Sequence, residues 1–144
     1  MKKSGRAYLP VIVGVVFVVA AAVFFFFGAE SPAAAANEFM AALAKADVKK
    51  LAQVGLLEGV DAQKAEAIWR QTLDRSEYFR FQWRVKNTTQ PTDDTASVVM
   101  DYIKNADSPS AYPENYSLPM MKIDGKWKVD VRRIPRDMYP DLPR

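Results

Sequence analysis

The sequence predicts an α+β protein: an N-terminal transmembrane helix, then a domain in which three helices pack on an antiparallel sheet of about four strands. Three observations carry this. Residues 9–28 contain no charged side chain. From Pro32 to Leu73 apolar residues recur with helical spacing, and from Phe79 onward they alternate with polar ones. Near the end, Asp124-Gly125 separates two alternating runs, as a two-residue hairpin turn requires.

The apolar run, LPVIVGVVFVVAAAVFFFFG, would span roughly 30 Å as a helix, about the thickness of bilayer hydrocarbon. A cleaved secretory signal is the competing reading, but its apolar region is usually shorter and ends at small residues. Here Phe24, Phe25, Phe26 and Phe27 occupy that end, so an uncleaved signal anchor is expected. Lys2, Lys3 and Arg6 precede the run, and Glu30 follows it. The positive-inside rule then makes 1–8 cytoplasmic and places the remainder across a bacterial inner membrane, in the periplasm or outside. The four Phe residues would anchor at the interface or meet a neighbouring membrane helix.

Ser31-Pro32 starts the first helix of the soluble domain, because proline's missing N–H needs no partner there. Ala36, Phe39, Met40 and Leu43 form its apolar stripe. Asp47 caps a short second helix carrying Leu51 and Val54 and ending near Gly55. Asp61 caps a third, with Ala65, Ile68, Trp69, Thr72 and Leu73 on one side and Glu66 and Arg70 paired on the other.

In the strands, Phe79, Phe81, Trp83 and Val85 alternate with Arg80, Gln82, Arg84 and Lys86, which reads as one dry and one wet face. Thr95–Lys104 forms a second strand, and Asn105–Pro113 a loop. The Asp-Gly turn pairs Ile123 with Lys126 and Lys122 with Trp127. Tyr116, Leu118 and Met120 then share a face with Trp127, Val129 and Val131. Pro119 falls on the opposite face and lacks a ladder donor, so its strand is expected at an edge or bulged. The domain covers 31–131. The tail, 132–144, holds Pro135, Pro140 and Pro143 and is expected to run extended.

Composition excludes much chemistry. With no Cys and no His among its 144 residues, the chain has no thiol nucleophile, disulfide, thiolate zinc site or imidazole base. The net charge is +3, of which the first thirty residues supply +2. The domain is near neutral, unlike a nucleic-acid binder. No cofactor motif is present.

AANEFMAALAKADVKKL, with Phe39–Asp47 in its middle, and the closing DGKWKVD of Asp124–Asp130 resemble the nuclear transport factor 2-like superfamily, in particular its small membrane-anchored bacterial members. That resemblance implies a curved sheet wrapped around helices, forming a cone with an apolar cavity. Across the superfamily the cavity is empty, binds a ligand, performs isomerisation or dehydration, or only supports association.

The functional expectation is a non-catalytic, single-span accessory subunit of a bacterial membrane complex, whether photosynthetic, respiratory or secretory. Its partners would be other membrane subunits and the bilayer. Phe24–Phe27 and the tail residues Arg132, Arg133, Arg136 and Tyr139 would make the contacts. Deleting Met138–Arg144 should then weaken association while leaving the domain folded. The alternative is a tethered envelope protein holding a lipid or other hydrophobic molecule in a cavity lined by Phe81, Trp83, Met100 and Trp127. A third reading, an enzyme, would use Asp101 as a base if it faced the cavity. Alternation places it on the wet face instead.

Overall fold

A computed structural model describes residues 31–144. Three helices come first: α1 (Pro32–Lys45), α2 (Val48–Val54) and, after the two-residue strand β1 (Gly55–Leu56), α3 (Ala62–Arg75). Four longer strands follow, β2 (Phe81–Thr89), β3 (Thr95–Lys104), β4 (Pro113–Ile123) and β5 (Lys126–Asp130), and then a 3-10 turn at Val131–Arg133. The strand order is β1-β5-β4-β3-β2, antiparallel except where β1 runs parallel to β5.

Local chemistry sets the helix ends. Asp47 accepts a hydrogen bond from the Lys50 N–H at 3.1 Å and Asp61 from the Lys64 N–H at 2.8 Å, satisfying donors that the first turns leave without partners. Glu66 and Arg70 form the expected pair at 3.7 Å. The stripe of Ala36, Phe39, Met40 and Leu43 is buried, as are Trp69 and Thr72 of α3. Phe39 meets the Trp69 ring edge-on at 5.8 Å, which ties α1 to α3.

Alternation dictates the sheet. Ala96, Val98, Met100 and Tyr102 of β3 are buried, and so are Tyr116, Leu118, Met120, Trp127 and Val129 of β4 and β5. Each neighbour between them on β3–β5 stays partly or fully exposed. Asp124 and Gly125 both take positive φ, 50° and 77°, and the hairpin pairs Ile123 with Lys126 and Lys122 with Trp127, the register read from the sequence. The Lys122 ammonium lies over the Trp127 ring, 5.8 Å from its centre.

Several expectations are corrected. The sheet has five strands rather than four, because Gly55–Leu56 joins it beside Val129 and Asp130; a two-residue strand leaves no alternating run to read. β4 lies inside the sheet, neither at an edge nor bulged at Pro119. Its ladder to β5 stops at Met120–Val129, so Pro119 pairs only with Ser97 of β3, and the missing donor is tolerated beside a side of the strand that has no partner. A bulge occurs instead in β2, between Val85 and Asn87.

The membrane expectation is corrected as well. Among the described residues, no helix is long and apolar enough to cross a membrane. The longest, α1 and α3, have 14 residues each, about 21 Å of rise against the roughly 30 Å of hydrocarbon to be spanned. The transmembrane, single-pass signal-anchor and inner-membrane assignments therefore find no support. Residues 1–8, the 9–28 run and Phe24–Phe27, on which they rested, lie outside the described residues.

The tail also departs from expectation. Beyond the 3-10 turn it does not run extended but turns back onto the domain, burying Ile134, Met138, Tyr139 and Leu142.

Gly55 ends α2 where β1 enters the sheet. A Cβ there would stand 2.8 Å from the Leu51 carbonyl oxygen and about 3 Å from Val131 and Phe39 side-chain atoms. Gly55→Ala should therefore destabilise the domain by about 1–3 kcal/mol, read as a lowered midpoint in chemical denaturation; an unchanged midpoint would show that the junction has slack.

Candidate functional site

The buried face at the β2–β3 side of the sheet is built from aromatic rings that the alternation of these strands turns inward. Phe81 is at its centre, with ring centroids 5.4 Å from Tyr102, 5.8 Å from Trp83, 5.9 Å from Tyr139 and 6.1 Å from Phe79. Tyr139 comes from the tail and meets Phe79 edge-on at 5.2 Å. Such edge-to-face pairs add about 0.5–1.5 kcal/mol beyond simple burial.

Polar contacts fix the tail over this cluster. The Tyr139 hydroxyl and Ser76 Oγ share a 2.7 Å hydrogen bond, and Ser76 also reaches the Thr72 carbonyl at 2.7 Å. Thr72 Oγ1 donates to the Asp141 carbonyl at 3.3 Å. Tyr116 donates to Asp137 at 2.9 Å, and Arg144 closes the end by donating to the carbonyls of Arg132 and Ile134. Burial pushes the Tyr139 phenol above its ordinary range, with the Ser76 bond opposing. It raises Tyr102 further, helped by Tyr139, Tyr116 and Glu114. Both are neutral phenols at any ordinary pH. Tyr102 Oη and Trp69 Nε1 are buried without a hydrogen-bond partner among the described residues.

The proposed cavity residues divide between core and partly exposed positions. Met100 is 0% exposed and Trp127 7%, while Phe81 and Trp83 are half-buried. The Trp83 indole N–H donates to Asn37 Oδ1 of α1 at 3.0 Å. A cleft of about 500 Å³ remains beside them at the end of α1, where Leu43, Leu73, Phe79, Phe81 and Tyr139 are lined up with the charged Lys45, Asp74, Glu77 and Arg80.

Asp101 faces away from this interior. Its carboxylate receives a 2.9 Å hydrogen bond from Arg84 and lies 3.5 Å from the Lys86 ammonium. The Arg84 bond leads in holding its pKa below the ordinary value; burial opposes, and Lys86 adds to the lowering. A cavity base needs the reverse shift. No group of three or more potential metal-ligating side chains occurs among the described residues.

Of the expected contact residues in the tail, Arg132, Arg133 and Arg136 are exposed and Tyr139 is buried. Their spacing held an unread signal: Ile134, Met138 and Leu142 recur every four residues, and all three are buried.

No family model matches the sequence, and no curated protein matches it. Solved structures do share the fold. One described as a calcium/calmodulin-dependent protein kinase type II association domain, from Thiobacillus denitrificans, is 15% identical over 69% of this chain and 90% of its own, with a TM-score of 0.50. An NTF-2 like protein of unknown function from Shewanella oneidensis is 14% identical over 66% and 88%, at 0.46. A ketosteroid isomerase-like protein from Erwinia carotovora is 16% identical over 68% and 87%, at 0.47. The first of these supports the α+β architecture of the described domain. At these identities the likeness concerns architecture alone.

Two expectations follow. Tyr139→Ala should cost about 3–4 kcal/mol, as for other large buried rings, and Tyr139→Phe about 1 kcal/mol for the Ser76 bond; equal, negligible losses in denaturation would mean that the tail is not seated. Removing Met138–Arg144 should accordingly unfold or loosen the domain, contrary to the sequence-based expectation.

Asp101, with its lowered pKa, stabilises the fold above its ordinary value and loses that contribution as pH falls through the lowered one. Asp101→Asn should therefore lower the melting temperature slightly near pH 7, with the difference closing as pH falls below the ordinary carboxylate range. A difference constant with pH would contradict the pairing.

Proposed function

We propose that the folded domain is a non-catalytic association module, an accessory subunit within a larger protein assembly. The observation that supports it best is the seating of Tyr139 among Phe79, Phe81 and Ser76, which covers the aromatic cluster with the chain's own side chain. The one carboxylate considered as a base is outside, paired with two cations. An association domain is also among the solved proteins that share this fold. An acid–base reaction needs a titrating group in contact with substrate, and the interior offers phenols held neutral by burial.

A second reading, a bound hydrophobic molecule, draws on the cleft of about 500 Å³ walled by Phe79, Phe81 and Tyr139. It falls within the range of small-molecule sites, about 300–1,000 Å³.

Gentle isolation of the full chain, followed by native mass spectrometry, separates the two. The association reading expects stoichiometric co-elution with defined protein companions. A chain that elutes alone with a small molecule attached would replace it with the ligand reading.

A further inference from the structure

The helices cover only one face of the sheet: α1 packs across β2, β3, β4 and β5 on the side where Met100, Leu118 and Val129 are buried. The other face has no layer of the described chain over it. Its centre is a ribbon of modest apolar side chains, Val99 on β3 and Pro119 and Met121 on β4, all partly exposed, with the small Ser97 and Ser117 beside them.

Both margins of that face are cationic. Arg84 and Lys86 stand on β2, Lys126 and Lys128 on β5, three strand spacings or roughly 14 Å apart. The two acids present are already engaged. Asp101 bridges Arg84 and Lys86, and Asp130 meets Arg133 at 3.5 Å. Arg84 remains 78% exposed while bonded, so its remaining donors are free to meet a partner. Lys126 and Lys128 form no ion pair among the described residues.

We propose that this outer face is the docking surface by which the module grips its partner, and that the partner is an acidic protein segment with small apolar side chains. The proposal rests on the association reading above and adds where contact is made and with what chemistry. An apolar centre edged by charge is the anatomy of a specific interface, and fixed cations at both edges select an acidic complement and set its register. A second copy of this chain fits badly. In two-fold docking each basic margin meets the other copy's basic margin, cation on cation. A lipid surface fits badly too, since the ribbon carries none of the protruding Trp, Phe or Leu that insert into a bilayer.

The test uses the full chain and a fluorescein-labelled peptide of alternating glutamate and valine, with a lysine-for-glutamate peptide as control, read by fluorescence anisotropy. The acidic peptide should bind and the lysine peptide should not. Binding should fall at least about tenfold in Lys126→Glu/Lys128→Glu, a loss of about 1.4 kcal/mol, and should weaken between about 50 mM and 500 mM salt. Lys49→Glu/Lys64→Glu, on the helical side, should bind as the parent does, and circular dichroism should show both variants folded.

Undiminished binding by the β5 variant overturns the proposal. So does a doubled mass in light scattering that the β5 variant abolishes, or tighter binding to vesicles containing phosphatidylglycerol than to the peptide. If the β5 variant binds the peptide undiminished and the chain still co-elutes with companions, this surface is wrong and the association reading stands. A chain without companions in any form removes both.

Discussion

One-sided burial of the sheet is the constraint on which the rest of this structure depends. Strand side chains alternate between two faces, so a strand sealed on one side must leave the other to water or to a partner. Here Phe39, Met40 and Leu43 of α1 supply the seal, and Val98, Met100, Tyr102, Leu118 and Val129 meet them with almost no exposure. A slip of one residue in any central strand would exchange that row for Val99, Asp101, Ser117 and Lys128. The Asp124-Gly125 turn prevents such a slip in the last hairpin, since it admits only the Ile123–Lys126 pairing.

The same constraint explains the chemical quiet of the interior. Once β2 and β3 turn Phe81 and Tyr102 inward, their rings need an apolar cover. The tail supplies Tyr139, whose ring fits edge-on against Phe79 and Phe81 while its hydroxyl finds Ser76. Two buried donors, on Trp69 and Tyr102, have no partner among the described residues, and such groups cost about 1–3 kcal/mol each where nothing meets them. That cost is carried by an interior otherwise well packed. The charged groups are displaced outward, where Asp101 with Arg84 and Lys86 makes a small exposed network. In that setting ion pairs contribute little to stability and remain available for recognition.

Much of this was legible in the sequence. Asp47 and Asp61 announced two helix starts, the stripe from Ala36 to Leu43 announced the packing face of α1, and the alternation from Thr95 to Lys104 gave β3 its exact span. What escaped had physical reasons. Gly55–Leu56 is too short to show a period, and its strand exists only because β5 offers an edge. Pro119 looked like an edge signal because its single vacant side arises from where β5 stops, a tertiary fact. The tail's prolines masked the four-residue spacing of Ile134, Met138 and Leu142, which follows from folding back onto α3 and β2 rather than from any helix. Of the candidate site, the outward placement of Asp101 could be read from its neighbours on β3. The seating of Tyr139 on the aromatic cluster could not, since it joins residues 63 positions apart.

The central claim is that the chain fills its own interior. Proton NMR of the full chain tests it most directly, through cross-relaxation between the Tyr139 ring and the rings of Phe79 and Phe81. Strong contacts to both, with the Tyr139 ring resonances dispersed by neighbouring aromatics, are what this account requires. A Tyr139 with sharp signals at unstructured-peptide positions and no contact to either phenylalanine would contradict it.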